Sequence, residues 1–191
     1  MSRKGYEATS MNDIADAAGL TKAGLYHYIR SKEELLFGIM SYYMDIVDEA
    51  VIAPTRDIVD PEERLRAIVE RHLRRILEGV AGVTTLLEEH WALTPAHRKI
   101  IRNRQRVYAD LVRQTIEQLA EEGKLQDVDP AIATFSLFGI ILWISRWYSR
   151  EGRLTPDEAL RDFSEIALSA LLKDGAASFE FAGLRDKIAL A

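Results

Sequence analysis

The residue types best suited to chemistry in this 191-residue chain sit together in Thr21-Lys22-Ala23-Gly24-Leu25-Tyr26-His27-Tyr28. On a short helix Thr21 caps the first turn and offers its hydroxyl, while Lys22 reaches a phosphate or a guanine edge. Ala23 and Gly24 let the backbone approach a groove closely, and Tyr26 and His27 can hydrogen-bond phosphates or bases. Lys32, at the head of the next helix, adds a further cation. The chemistry on offer is contact with a nucleic acid duplex. No nucleophile elbow, glycine-rich phosphate loop or Ser-His-Asp signature accompanies it, so no enzymatic activity is expected.

Two short helices must position this edge. The first places Ile14, Ala15 and Ala18 on one face; the second is expected to turn Leu25, Tyr28 and Ile29 inward. Ala15, Ala17 and Ala18 allow close approach, Gly19 permits a left-handed turn, and Leu20 is expected to plug the gap between the helices. That is helix-turn-helix geometry over about residues 10–29, with one helix across the phosphate backbone and the second in the major groove. The competing reading is an ordinary helical pair with its tyrosines in the core.

The rest of the chain is read as helical from its caps and its apolar period. Ser10 before Asp13 and Ser31 before Glu34 read as capping boxes. Asp60-Pro61, Thr94-Pro95, Asp129-Pro130 and Thr155-Pro156 each read as a cap followed by proline at the first helical position. Gly19, Gly123 and Gly175 sit where helices should stop. Helices are expected over roughly 11–18, 21–29, 31–51, 61–78, 82–93, 95–122, 130–149 and 156–173. No segment alternates with a period of two, so the fold class is all-α: an N-terminal helix-turn-helix module followed by a larger helical ligand-binding and dimerisation domain. The boundary is expected near Ala53-Pro54-Thr55, dividing residues 1–50 from 51–191. The tail after Ala176, with Phe179, Phe181, Leu184, Ile188 and Leu190, is expected to dock on that larger domain.

Composition narrows the classes further. With 48% hydrophobic and 29% charged residues the chain is of ordinary globular type, and the absence of Cys excludes disulfides, Cys-ligated zinc and thiol nucleophiles. The net charge of −5 is uneven. Within residues 1–32, Arg3, Lys4, Lys22, Arg30 and Lys32 outnumber Glu7, Asp13 and Asp16 by two, which leaves −7 for the remainder. That asymmetry has the sign a duplex requires. The most apolar run, Ala131 to Ile144, is shorter than the ~20 residues of a membrane span and ends near Arg146, so a core or interface helix and a cytoplasmic location are expected. His72, His90 or His97 beside Glu88-Glu89 lacks the i, i+4 spacing of a helical metal site, and no metal or cofactor is expected. The adjacent acids Glu33-Glu34, Glu62-Glu63, Glu88-Glu89 and Glu121-Glu122 read as solvated helix faces.

From Gly5 to Leu35 the sequence resembles the DNA-binding domain of TetR/AcrR-family transcriptional regulators. The resemblance is carried by Gly5-Tyr6-Glu7-Ala8-Thr9-Ser10-Met11-Asn12-Asp13-Ile14-Ala15, Ala18-Gly19-Leu20-Thr21-Lys22-Ala23-Gly24-Leu25-Tyr26-His27-Tyr28-Ile29 and Ser31-Lys32-Glu33-Glu34-Leu35. It implies a homodimeric repressor on a pseudo-palindromic double-stranded DNA operator, released by a small effector. It implies backbone contacts at Thr9, Ser10, Tyr26, His27 and Lys32, and groove contacts at Thr21, Lys22, Ala23 and Gly24. The family carries a further helix before the Gly5-Tyr6 turn, where only Met1 to Lys4 stand here. A DNA unit lacking it is expected to bind weakly, with a ligand-binding helical dimer that does not bind DNA as the alternative.

The helix expected over 130–149 is apolar nearly all round, so both faces must be covered. With the next helix, carrying Leu160, Phe163, Ile166, Ala167, Ala170 and Leu171, it is expected to pair with its symmetry mate as a four-helix interface. Dimerisation suits a helix-turn-helix protein, which needs two half-sites about one helical turn, ~34–36 Å, apart. An effector pocket is expected among helices spanning 82–149, with Trp91, Tyr108, Phe135, Phe138, Trp143, Arg146 and Trp147 as candidates. The run Trp147-Tyr148-Ser149-Arg150-Glu151-Gly152-Arg153-Leu154-Thr155-Pro156 is similar to the acyl-coenzyme A-sensing branch of the family. It implies an apolar slot with arginines for phosphates, for which Arg102, Arg104, Arg106, Arg146 and Arg150 are the candidates. A planar hydrophobic drug or a fatty acid is the alternative effector.

Overall fold

The computed structural model describes residues 5–79 and 89–173, and every extended element within them is helical. Helix α1 is Met11–Ala17, α2 is Lys22–Tyr26 and α3 is Lys32–Val47. A π turn over Asp48–Ile52 and a short α4, Ala53–Thr55, prolong α3. Helix α5 is Pro61–Leu77, a 3-10 turn spans His90–Ala92, and α6 (Pro95–Glu121), α7 (Pro130–Trp147) and α8 (Pro156–Ser169) complete the described set. The helix expected over 82–93 falls mostly outside the described residues, and its described end is the 3-10 turn. Gly175 and the tail expected to dock also lie outside them.

The caps act as their sequences require. Ser10 and Thr155 form complete capping boxes with Asp13 and Glu158. Ser31 makes only half of one: its hydroxyl accepts from the Glu34 N–H, but the Glu34 carboxylate accepts from the Arg30 N–H instead. Gly19 adopts φ +66°, and the Leu20 N–H closes back onto the Ala15 carbonyl at 2.9 Å. That six-residue closure needs a residue with no penalty for the left-handed conformation, which is glycine.

Helix α5 lies against α6, α7 and α8, and its buried stripe Leu65, Ile68, Val69, Leu73, Ile76 and Leu77 anchors one continuous core. The helix that begins with α3 ends at the last residue of the expected Ala53-Pro54-Thr55 break. The π turn absorbs Pro54, whose missing N–H would otherwise interrupt an α-helix, and the helix ends after Thr55. Thr55 Oγ1 donates back to the Val51 carbonyl at 2.6 Å. The α3 helix thus runs from the N-terminal helical pair into the core of the larger domain.

By length and composition α7 is apolar enough to cross a membrane, with a mean hydropathy of 1.3 over 18 residues. One face, Ala133, Thr134, Leu137, Ile141 and Ile144, packs inside the bundle. The opposite face, Ile132, Phe135, Trp143 and Trp147, is exposed, with Phe135 at 71% and Trp143 at 65%.

A polar relay crosses the core between α3, α5 and α6. The Tyr43 hydroxyl lies 3.0 Å from His72 Nε2, and His72 Nδ1 lies 2.9 Å from the Tyr108 hydroxyl. All three residues are buried. Burial pushes the His72 imidazole from 6.5 down to about 4, so the folded ring is neutral near pH 7. The unfolded chain therefore takes up this proton at a higher pH than the folded one. Stability is fully present above about pH 6.5 and is withdrawn as pH falls towards 4, by up to about 3 kcal/mol. In thermal melts, the stability advantage of the native chain over His72→Leu should shrink between pH 7 and pH 4.5. An advantage independent of pH would mean that His72 is solvated and titrates normally.

Candidate nucleic-acid interface and effector domain

Ala15 and Leu25 are buried and hold α1 against α2 across the Gly19 turn. Leu20, expected as a plug, is exposed instead. Thr21 Oγ1 accepts from the Gly24 N–H at 3.0 Å, which caps α2 and leaves the hydroxyl proton available. A Cβ on Gly24 would lie 3.1 Å from that oxygen, so the cap and the glycine suit one another. Thr21, Lys22, Ala23, Tyr26 and His27 are exposed and Gly24 is half-buried. They form one polar edge, and at Ala23 and Gly24 only small side chains screen its backbone.

Other predicted contact residues are differently placed. Ser10 is exposed at the α1 cap, whereas Thr9 is 5% exposed and its hydroxyl donates to the Gly5 carbonyl at 2.7 Å. The Lys32 ammonium is half-buried and donates to the carbonyls of Tyr6 at 2.9 Å, Thr9 at 3.0 Å and Glu7 at 3.4 Å. It also lies 4.2 Å from the Tyr6 ring centroid. Its charge therefore fixes the 5–10 turn that leads into α1. Sequence reading missed Tyr28, which was placed in the core but is 77% exposed. Helix α2 ends at Tyr26, so its helical period does not reach Tyr28.

The acid pair Glu33-Glu34, read as a solvated face, is not one. Glu33 Oε1 accepts from the Thr94 N–H at 2.8 Å and lies 2.9 Å from His97 Nδ1. The His97 ring stacks on Phe37 with centroids 3.9 Å apart. Burial alone would raise the Glu33 carboxyl, but the bonds from Thr94 and His97 outweigh it and hold it below the ordinary range. Nearby, Glu89 Oε1 accepts from the Tyr6 N–H at 2.9 Å, and Trp91 meets the Tyr6 ring edge-on. These contacts clasp the N-terminal module to the head of α6 and the turn before it.

The predicted effector residues divide in the same way. Tyr108 is buried and meets Phe138 edge-on, with centroids 5.2 Å apart. Trp91 belongs to the clasp, while Phe135, Trp143, Arg146 and Trp147 lie on the exposed side of α7. Among the candidate arginines, Arg104 is a strut: it pairs with Asp45 and Asp48 and donates to the Ser41 carbonyl, tying α6 to α3. Arg106 faces Asp110, and Arg150 reaches the Glu78 carbonyl. Among the described residues no His, Asp and Glu cluster could hold a metal ion.

Residues 1–39 match the family model described as "Bacterial regulatory proteins, tetR family", and residues 59–189 match "Tetracyclin repressor-like, C-terminal domain". The chain belongs to the TetR family. It is 30% identical over 179 residues to the HTH-type transcriptional repressor KstR2 of Mycobacterium tuberculosis, covering 90% of this chain and 87% of that protein. The KstR2 structure is similar with a TM-score of 0.82 at 25% identity, over 90% of this chain and 89% of that one. AibR, solved in complex with isovaleryl coenzyme A and operator DNA, is similar with a TM-score of 0.79 at 40% identity, over 85% of this chain and 89% of that one. The TetR family consists of transcriptional regulators, and this TetR-family chain is a DNA-binding transcriptional regulator with a helix-turn-helix module.

Two substitutions separate the edge from the clasp. Lys22→Ala should weaken duplex binding about tenfold while leaving the oligomeric state unchanged, as read by fluorescence anisotropy and sedimentation. Glu33→Ala should instead speed hydrogen exchange at the Thr94 amide. Unchanged protection there would mean that the clasp does not hold in solution.

Proposed function

We propose that the protein is a cytoplasmic, homodimeric repressor without enzymatic activity, released from a pseudo-palindromic operator by an acyl-coenzyme A-type effector. The observation that carries this reading is the exposed Thr21–His27 edge, standing on a module clasped to a separate helical domain. The edge offers a hydroxyl, an ammonium, a phenol and an imidazole around Ala23 and Gly24, where the α2 backbone can be closely approached. Thr21, Lys22, Ala23 and Gly24 face the groove, and Ser10, Tyr26 and His27 meet the phosphates. Thr9 and Lys32 act by shaping the turn that aims α1.

Dimerisation accounts for the apolar outer face. Ile132, Phe135, Trp143 and Trp147 of α7 and Ile166 of α8 are all exposed in the single chain. Two such faces pack as a four-helix interface, which removes large aromatic surface from water at about 25 cal/mol per Å². The same pairing sets the spacing of the two recognition helices.

The effector reading rests on AibR, which carries isovaleryl coenzyme A, and on the polar relay. Two phenol protons and one imidazole proton share two contacts, which leaves one hydroxyl proton without an acceptor among the described residues. With His72 donating through Nδ1, that proton sits on Tyr108, beside Phe138. A thioester carbonyl is the acceptor that completes the relay, with the acyl chain between α6 and α7. Displacing the head of α6 then strains the Glu33 clasp and tilts the DNA-facing module. The effector acts through its difference in affinity for the two states.

A mobility-shift titration with the upstream intergenic DNA tests the whole reading. Binding should weaken steeply with salt and be reversed by acyl-coenzyme A at fixed salt. Absence of binding at low salt would leave only a ligand-binding helical dimer. Phe135→Glu should yield monomers in sedimentation experiments; dimers of that variant would place the interface elsewhere.

A further inference from the structure

Pro54 has a consequence one turn back. In a regular helix the Ala50 carbonyl would accept from the N–H of residue 54, and proline has none. Arg71 of α5 supplies a donor instead, with Nη1 at 3.4 Å from that oxygen. The contact is long, and the guanidinium retains donors to spare. Arg71, Arg74 and Arg75 stand at i, i+3 and i+4, so they share one face of α5. Together with Ala50 and Glu70 they line a cleft of about 330 Å³ against the π turn. That size is at the lower end of small-molecule sites, which run from ~300 to 1,000 Å³.

The charges of this cleft are unequally matched. Arg75 is paired with Glu78 at 2.8 Å. The Arg74 guanidinium is exposed and has no side-chain partner among the described residues. Glu70 is the acid within the lining. Three guanidiniums on one face present planar forks suited to phosphate oxygens, and two of them have no strong prior commitment.

We propose that this cleft binds the phosphate-bearing nucleotide end of the effector, a site separate from the acyl pocket and from the arginines on α6 and α7. The inference rests on the acyl-coenzyme A reading above. An anion here draws Arg71 away from the Ala50 carbonyl and leaves the π turn without its external donor. The cleft thus adjoins the helical segment that runs from the DNA-facing module into the larger domain. Arg74 supplies affinity, and Arg71 links occupancy to the helix.

Isothermal titration of the full chain with adenosine 3′,5′-bisphosphate and with coenzyme A tests the site, using Arg74→Gln and the Arg71→Gln/Arg74→Gln double variant. Arg106→Gln, on α6, is the control, and thermal melts verify folding. Arg74→Gln should weaken both ligands about tenfold and the double variant more, whereas Arg106→Gln should bind as the native chain does. An isovaleryl thioester of pantetheine, which lacks the nucleotide phosphates, should bind all variants alike. Equal coenzyme A affinity in the folded double variant overturns the proposal, as does native-chain affinity for neither phosphate ligand. Bisphosphate binding lost in the variants, without operator release by acyl-coenzyme A, would support the site and refute the effector reading. Operator release unchanged in the double variant would refute the site and leave that reading standing.

Discussion

The helix-turn-helix module and the larger domain are held together by few polar contacts, and the Glu33 carboxylate makes the one on which the proposed coupling depends. It accepts from the Thr94 N–H at the head of α6 and meets His97 Nδ1 on the first turn, while Phe37 stacks on the His97 ring. Both its partners belong to the larger domain and Glu33 belongs to α3. Lys32, one residue earlier, uses its ammonium to hold the turn before α1. The two adjacent residues therefore tie the head of α3 to the turn before α1 and to the larger domain. A carboxylate in this position is sensitive to sub-ångström shifts, because a hydrogen bond weakens steeply with length and angle. The buried Tyr43, His72 and Tyr108 relay supplies a second connection between α3 and α6, deep in the core, where an unpaired proton is costly.

Much of the architecture was legible because it rests on local signals. Ser10, Thr21, Asp60, Asp129 and Thr155 each cap the helix their sequence context announces, and Gly19 sits at the left-handed turn. Local signals mislead where tertiary contacts supply the missing partner. Pro54 reads as a helix breaker, and the helix does end one residue beyond it; what the sequence does not announce is the π turn before it and the bond that Arg71 donates to the Ala50 carbonyl. Glu33 reads as a solvated acid because its partners lie more than sixty positions away. Tyr28 was assigned inward by extending a helical period two residues beyond the end of α2.

The exposure of the α2 edge was more legible than the placement of the candidate effector residues. Thr21, Lys22 and Ala23 are exposed because α2 is short and packs through Leu25. Aromatic residues carry no such directional information: Tyr108 is buried and Trp143, on the neighbouring helix, faces outward. Helix α7 is apolar on nearly every side, so its sequence does not distinguish the core face from the exposed face. Arginines are equally ambiguous. Arg104 is a strut to α3, while Arg71 and Arg74, which the pattern did not single out, line a cleft.

The chain has no native cysteine, so Ala17→Cys places one spin label on the exposed end of α1 in each protomer. Pulsed dipolar spectroscopy then reads the separation of the two DNA-facing modules directly. With operator present a single narrow distance is expected, matching recognition helices about one helical turn, ~34–36 Å, apart. Saturating isovaleryl-coenzyme A without DNA should move that distance to a different value. An identical distribution in both states would contradict the coupling of effector to DNA geometry, and the absence of any inter-protomer distance would contradict the dimer.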